Sequence, residues 1–514
     1  VGAKGWTGAA LAIVLLATGC AEADQADRDA APEAAGPLAA FYGQEIAWED
    51  CDGDFQCGTF EVPMDYDDPS GPRLEIAVKR LPASGGDPVG SLVVNPGGPG
   101  GSGLDYVSGA FLTFGEEVLE QFDIVGFDPR GVGQSSPVYC MDSVELDEFL
   151  GFQLDSADGS GDPAAPTDAS LEEFVRLNRE FVQACQERSG ELIHHVGTAD
   201  VARDLDVLRA VLGDDGLTYL GKSYGTSIGA HYAELFGENV RALVLDGAVA
   251  LDGDQLELSV EQAGGFTTAL RAFVEDCLGL PDCPLADGDG ATVEDGIARI
   301  GDLLEQAAAE PLVNRLDDRE INRTRVELGV LTALYSESFW PEVRTGLTEA
   351  IEDGDGTVLL QLGDVLYGRD DEDAYENSVA ALVAVNCADN PGPRDLDAYE
   401  EAARTVGQTA PLFGPSLAWG ALTCAYWPEE AQEDRVAEID GDGAPPVLVV
   451  GTTRDSATPY QWAEEMAETL DSGVLLTWEG DGHTAYGSDS CVDGLVDAYL
   501  LEVRVPEDGT VCAL

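Results

Sequence analysis

Residues 217–237, LTYLGKSYGTSIGAHYAELFG, constrain the fold more than any other stretch of the chain. An apolar, strand-like run ends at Gly221, and a helical pattern follows within a few residues. Two G-x-S-x-G patterns overlap here, one around Ser223 and one around Ser227. A strand that turns this tightly into a helix needs small residues beside the turn, because the two backbones crowd one another. Ser223 falls at the apex of the predicted turn. Ser227 lies one helical turn further on and faces along the helix. Gly225 and Gly229 are expected to let that helix lie close to the sheet. Ser223 is therefore the candidate nucleophile. A serine hydroxyl in that role needs a base, a carboxylate to orient the base, and backbone donors for the oxyanion.

The base follows from counting. The chain has four histidines, His194, His195, His231 and His483. In a strand–turn–helix site of this type the chain order is serine, acid, histidine, so only His231 and His483 qualify. His231 sits eight residues along the same helix, too far to reach back. His483, in the Gly-rich loop EGDGHTAYG after a predicted strand, is the candidate base, and His194 and His195 are read as structural or solvent-facing. Two acids lie between Ser223 and His483 at strand ends, Asp246 in ALVLD and Asp455 in VLVVGTTRD. Asp455 is preferred, because Thr458 and Pro459 read as the N-cap and first turn of a helix that would fix its loop. Asp246 is read as a capping or turn residue. The loop VVNPGGPGGSG, residues 93–103, follows an early strand and lacks the G-K-[ST] of a phosphate-binding loop. It is expected to supply one oxyanion donor, the N–H of Gly98, with the N–H of Tyr224 as the second.

Strand-like segments LEIAVKRL, SLVVNP, DIVGFD, LTYLG and RALVLDG alternate with helical patterns such as TADVARDLDVLRAVLG. That alternation predicts an α/β fold with a mostly parallel sheet wrapped by helices. From about residue 251 to 440 the alternation gives way to long amphipathic stretches, read as an inserted helical cap. The sheet resumes at APPVLVVGTTRD. The expected organisation is a leader over 1–20, a flexible tether over 21–40, a first core segment over 41–250, the cap over 251–440 and a final core segment over 441–514. Residues 155–169, DSADGSGDPAAPTDA, read as an acidic surface loop.

Charge narrows the function. Asp and Glu number 98 against 26 Lys and Arg, a net charge of −72. Such a surface repels nucleic acid and anionic lipid. The acids are spread along the whole chain, not gathered in a block, which points to a high-salt environment rather than to one basic partner. Lys4 followed by GAALAIVLLATG, closing on LLATGC, reads as an export signal of the lipoprotein type, with lipidation at Cys20. The remaining ten of the eleven cysteines suit disulfides outside the cell. Nearest-neighbour pairing uses all of them: Cys51–Cys57, Cys140–Cys185, Cys277–Cys283, Cys387–Cys424 and Cys491–Cys512. Spacing alone does not fix that connectivity. A zinc site is disfavoured by the lack of any C-x-x-C or cysteine–histidine cluster.

Taken together, NPGGPGGSG, FDPRGVGQSSP, YLGKSYGTSIGAHYAELFGENVRALVLDG and GTTRDSATPYQWA…GDGHTAYG resemble the secreted tripeptidyl aminopeptidases of actinobacteria. These are α/β-hydrolases related to proline iminopeptidase and to mycobacterial cell-envelope serine hydrolases. The resemblance spans roughly residues 45–514. It implies an α/β-hydrolase fold, Ser223 as nucleophile, Asp455 as acid, His483 as base, a helical cap and a C-terminal segment that closes the catalytic domain. NCAD (386–389) and CAYWP (424–428) also resemble family positions, which favours the Cys387–Cys424 bridge. Lys222 departs from the family, where a small or apolar residue is usual, and is expected at the pocket entrance or in solvent. The resemblance implies an exported, cofactor-free serine peptidase that removes short peptides from a free N-terminus. A cap carboxylate, with Asp389 as the candidate, would pair with the substrate ammonium. An envelope esterase with the same three residues is the alternative, and a non-catalytic peptide-binding lipoprotein is a third reading. Epoxide and haloalkane hydrolysis are disfavoured, because those chemistries use a carboxylate at the turn.

Overall fold

The computed structural model describes residues 36–513 apart from 87, 287, 289, 371, 433, 434 and 437. The predicted leader, most of the tether and Cys20 lie outside the described residues. The tether's last residues are already structured, since Ala39–Tyr42 is a helical turn with Phe41 buried.

Ten strands form one sheet: β1 (Glu49–Cys51), β2 (Phe55–Pro63), β3 (Arg73–Leu81), β4 (Gly90–Asn95), β5 (Phe122–Phe127), β6 (Leu217–Lys222), β7 (Val240–Asp246), β8 (Val447–Arg454), β9 (Gly473–Asp481) and β10 (Thr510–Ala513). Their spatial order is β1-β2-β3-β5-β4-β6-β7-β8-β9-β10. The pairs β1–β2, β2–β3 and β3–β5 are antiparallel, and the pairs from β5–β4 onward are parallel. The expected α/β-hydrolase architecture with a mostly parallel sheet is what forms.

Parallel strands covered on both faces read as near-continuous apolar runs, and β4, β6, β7 and β8 do so. Alternate residues then feed two cores. Leu243, Leu245, Val447 and Val449 join one, whereas Ala242, Val244, Leu448 and Val450 join the other. After β4 the chain turns back to β5, whereas β6 lies on β4's other side. Asn95 at the end of β4 is in register with Gly221 near the end of β6. A crevice at such a reversal, at the carboxyl ends of the strands, is where open α/β sheets place their ligands.

Between β7 and β8 the described chain is helical, from Gln255–Leu278 to the short turns near residue 432. Most of it builds a core of its own, with Phe273, Leu304, Val330, Leu347 and Leu359 inside. The helix Ser378–Asp389 differs: Val379, Ala380, Ala384 and Val385 pack into the core of the sheet. That helix belongs physically to the sheet domain although it lies within the inserted sequence. The acidic segment 155–169 is pinned down. Ser156 bridges Pro166, Asp158 collects the Ser156 and Ser160 hydroxyls, and the Trp419 indole donates to Pro163 O. The five expected disulfides are all bonded. No helix among the described residues is long and apolar enough to cross a membrane.

The motif FDPRGVGQSSP supplies the main polar anchor of this core. Arg130 is 0% exposed. It forms a fork to both oxygens of Asp204 at 2.7 Å, reaches Asp200 at 3.1 Å, and donates to the carbonyls of Pro63, Met64 and His195. Tyr66 completes Asp204 from the other side at 2.7 Å. Every donor of the guanidinium group therefore works where water cannot replace it. Arg130→Met leaves the buried Asp204 carboxylate without its cation, while Asp200 keeps Arg203, and is expected to lower the unfolding free energy by about 3–5 kcal/mol, read from urea denaturation.

Candidate active site

The turn after β6 is as tight as its sequence implies. Ser223 sits at φ 54°, ψ −125°, directly before the helix Tyr224–Phe236. A Cβ on Gly221 would lie 2.2 Å from Gly225 O, and one on Gly229 would lie 2.4 Å from a Leu245 methyl. Neither position has room for a side chain, which is why glycine flanks the serine. Ser223 N–H donates to Asp246 O at 2.9 Å, and Thr226 N–H donates back to Ser223 O at 2.8 Å. Ser227 lies along the helix as expected. Its carbonyl, not its hydroxyl, is the close partner of His231 Nδ1, at 2.8 Å.

The second and third residues meet as predicted. His483 Nδ1 is 2.8 Å from Asp455 Oδ1 and 3.1 Å from Oδ2. Asp455 also accepts N–H groups from Ala457 at 2.9 Å, Thr458 at 2.8 Å and Thr484 at 3.2 Å. Three amide donors fix this carboxylate in orientation. It therefore holds the proton on Nδ1 and leaves Nε2 free as a base. Thr458 is not the helix cap that its sequence suggested. The helix starts one residue later, at Tyr460 with Pro459 as cap. The Thr458 hydroxyl instead stands 3.3 Å from His483 Nδ1. Ser223 and His483 line one cavity of about 790 Å³ together with Gly98, Tyr224 and residues of the helical insertion. Among the described hydrogen bonds none joins the two directly.

The Gly-rich loop after β4 lies against the turn. A Cβ on Gly97 would be 2.5 Å from Lys222 O, 2.8 Å from Ser223 Cβ and 2.9 Å from Tyr224 N. Gly97 N–H is already committed to Asn95 Oδ1 at 2.9 Å. Gly98, the expected donor, and Tyr224 both face the cavity.

Asp246 is neither a cap nor a simple turn residue. It is wholly buried, and its carboxylate accepts N–H groups from Ala485 and Tyr486, each at 2.9 Å. Lys222 reaches neither the pocket entrance nor solvent. It turns inward, donating from Nζ to Tyr486 O at 2.6 Å, with Asp246 Oδ2 at 3.9 Å. Its main chain is pinned by the strand, so with the Ser223 side chain aimed at the cavity, the neighbouring side chain takes the opposite face.

Three carboxylates line the described cavity: Asp200, Asp389 and Glu327. Asp200 is bound by Arg130 and Arg203. Asp389 accepts Thr198 N–H at 2.8 Å and the Thr198 hydroxyl at 2.5 Å, and that hydroxyl also meets Tyr224 OH at 2.6 Å. Burial pushes the Asp389 carboxyl up, and it pushes the nearby His231 down. Glu327 escaped the sequence reading. It lies on Arg323–Ala333, a helix with apolar residues around most of its circumference, so nothing in the pattern marked it. Burial pushes its carboxyl up to about 7, with Arg323 at 3.8 Å as counter-charge. The insertion also touches His483 itself. Tyr335 O accepts His483 N–H at 2.8 Å, and the two rings meet edge to face. His194, read as peripheral, lines the cavity too.

With this geometry in place, the likenesses to known proteins fall into one group. A family model described as TAP-like protein matches residues 410–512. Serine protease Hip1 of Mycobacterium tuberculosis is 38% identical over 493 residues, covering 91% of each chain. Carboxylesterase B of the same species is 37% identical over 470 residues, covering 89% of this chain and 86% of its own. Tripeptidyl aminopeptidase of Streptomyces lividans is 33% identical over 485 residues, covering 91% and 86%.

Gly97→Ala places a methyl group between the loop and the turn, at a φ of +93° that side chains rarely adopt. It is expected to displace the candidate oxyanion donors, the amides of Gly98 and Tyr224, and to lower kcat by about 10²–10³ with KM little changed. Steady-state kinetics on a correctly folded variant checks this.

Proposed function

The chain belongs to the tripeptidyl aminopeptidase family of α/β-hydrolase serine hydrolases, and on that premise we propose that it is an exported peptidase releasing short peptides, tripeptides among them, from a free N-terminus. Ser223 Oγ attacks the scissile carbonyl as His483 Nε2 takes its proton. Asp455 steadies the imidazolium, and the amides of Gly98 and Tyr224 hold the oxyanion. The imidazolium then protonates the departing amine, and water repeats the cycle on the acyl-enzyme. None of these steps needs a metal or an organic cofactor. The observation that carries the reading is that His483, paired with Asp455 at 2.8 Å, lines the same cavity as a serine at φ 54°.

Two cavity carboxylates are candidates for the substrate ammonium. Asp389 already receives two hydrogen bonds from Thr198, though a carboxylate can accept more. Glu327, on the insertion, has its arginine only at 3.8 Å. Ser416 and Asp162 are its other polar neighbours. Export is supported by the leader pattern of residues 1–20 and by five disulfides. Membrane anchorage would run through Cys20 alone. Activity in high salt is supported by the net charge of −72. The esterase reading persists because one relative bears the name carboxylesterase B.

The test compares a tripeptide coumarin amide, its N-acetylated twin and a simple ester in molar salt. The free-amine peptide is expected to be cleaved and the acetylated one spared, with Ser223→Ala inactive on both. Ester cleavage without amide cleavage would move the assignment to an esterase. Silence on all three would favour the binding-protein reading. Glu327→Gln and Asp389→Asn are expected to raise KM for the free amine alone, about tenfold for whichever acid meets the ammonium. If that acid is Glu327, wild-type KM falls as pH rises through about 7, where its carboxyl ionises.

A further inference from the structure

Lys222 is the charged group of the site that the proposed mechanism leaves unused. The chain has only three lysines, Lys4, Lys79 and Lys222. Both that fall among the described residues are turned inward: the Lys79 side chain is 8% exposed and that of Lys222 is 13% exposed. A lysine beside the candidate nucleophile, in a chain that otherwise avoids lysine, asks for a physical account.

Its surroundings supply one. Lys222 and Asp246 are register partners on the parallel strands β6 and β7. Asp246 holds the N–H groups of Ala485 and Tyr486, two and three residues beyond His483. Lys222 takes the carbonyl of Tyr486. Asp455 holds His483 Nδ1 and Thr484 N–H. The segment 483–486 is thus suspended between two carboxylates, and Lys222 closes the second of them. A carboxylate grips two amides most firmly when ionised, yet a wholly buried one takes up a proton unless a cation opposes it. Burial pushes the Asp246 carboxyl up and the Lys222 ammonium down, and each charge opposes the shift of the other. The other charged or titratable groups facing the assembly are Asp493 and Tyr486 toward Lys222, Tyr106 and His483 toward Asp246, and Asp455 and Tyr335 toward His483.

We propose that Lys222 is a positioning residue for His483: its ammonium keeps Asp246 ionised beneath the histidine segment and thereby holds the imidazole in place between Ser223 and Asp455. This rests on the assignment of His483 as the base. The direction of the effect follows from charge. Without the ammonium, Asp246 either remains an anion that favours imidazolium or gains a proton that must leave before its grip returns. Both routes demand a higher pH for an active base, so the acidic limb of the pH–rate profile moves up.

The rate of Ser223 phosphonylation by a fluorophosphonate, followed by intact mass from pH 5 to 10, reads the base without depending on which substrate the protein cleaves. Lys222→Gln keeps a donor for Tyr486 O and removes the charge. It is expected to move the acidic limb up by about one pH unit, a roughly tenfold loss on that limb that disappears at high pH. Lys222→Arg is expected to keep the wild-type limb. Adding Asp246→Asn to Lys222→Gln should abolish the displacement, since the group that causes it is gone. A uniform loss across all pH values in Lys222→Gln, or a displacement that survives in the double variant, overturns the proposal. If Lys222→Gln fails to fold, a displaced limb in Lys222→Arg overturns it instead. Wild-type labelling rates in His483→Ala would show that the assignment of the base itself is wrong.

Discussion

The backbone of Ser223 is the constraint on which the rest of the site depends. A φ of 54° with a ψ of −125° is foreign to a residue with a side chain and costs on the order of 1–3 kcal/mol unless its surroundings enforce it. Here they do. Asp246 O and Thr226 N–H grip the two sides of the serine peptide unit. The missing Cβ of Gly221 lets β6 approach the following helix at Gly225 O, and that of Gly225 lets the helix start lie against Asn95 at the end of β4. Gly97 lets the loop after β4 close over the same point. The strain is carried by the sheet: Lys222 is hydrogen-bonded between neighbours on β7, so the serine cannot relax without breaking the ladder.

The helical insertion is a structural partner of the site as well as its roof. The carbonyl of Tyr335 receives the His483 amide, so His483 is anchored by the insertion through its main chain and by Asp455 through its ring. Charge binds the two parts as well. Arg319 and Arg369 share Asp147 and Asp317, joining the helix Ser143–Leu150 to the inserted chain. Movement of the insertion would therefore reach the imidazole directly.

Much of this was legible in the sequence because it rests on local rules. Glycine spacing marked the turn, apolar runs marked β3 to β9, and the scarcity of histidine singled out His483. Asp455 and Asp246 are both legible as strand-end acids, and the choice of Asp455 rests on a helix after its loop. That helix does form, at Tyr460–Thr469, although Thr458 is not its cap. What stayed hidden depends on contacts between distant residues. β1 and β10 are short edge strands of three and four residues, and β2, next to the edge, has a mixed composition that gives no clean period. Thr458 obeyed the rule for a cap, yet a buried carboxylate offered its amide a stronger partner, and the helix began one residue later. Glu327 sits on a helix with no clear polar or apolar face, and Thr324, Leu328 and Leu331 line the cavity beside it, so its place there depends on the tertiary fold. Lys222 was assigned to solvent or to the entrance by its type. Alternation along β6 sends it inward, and only the fold brings Asp246 to it.

The distribution of charge explains how so acidic a chain keeps a defined interior. The 26 basic residues are too few to balance 98 acids, and several are spent inside. Arg130, Arg209, Lys79 and Lys222 are nearly or wholly buried, each beside at least one carboxylate. Interior ion pairs are shielded from salt, whereas repulsion among surface carboxylates is screened within about 8–10 Å at ordinary ionic strength and within about 3 Å at 1 M. External salt can therefore relieve the surface without weakening the pairs that set the site. The two populations of charge respond to the solvent independently, and the histidine segment is held by the population that salt does not reach.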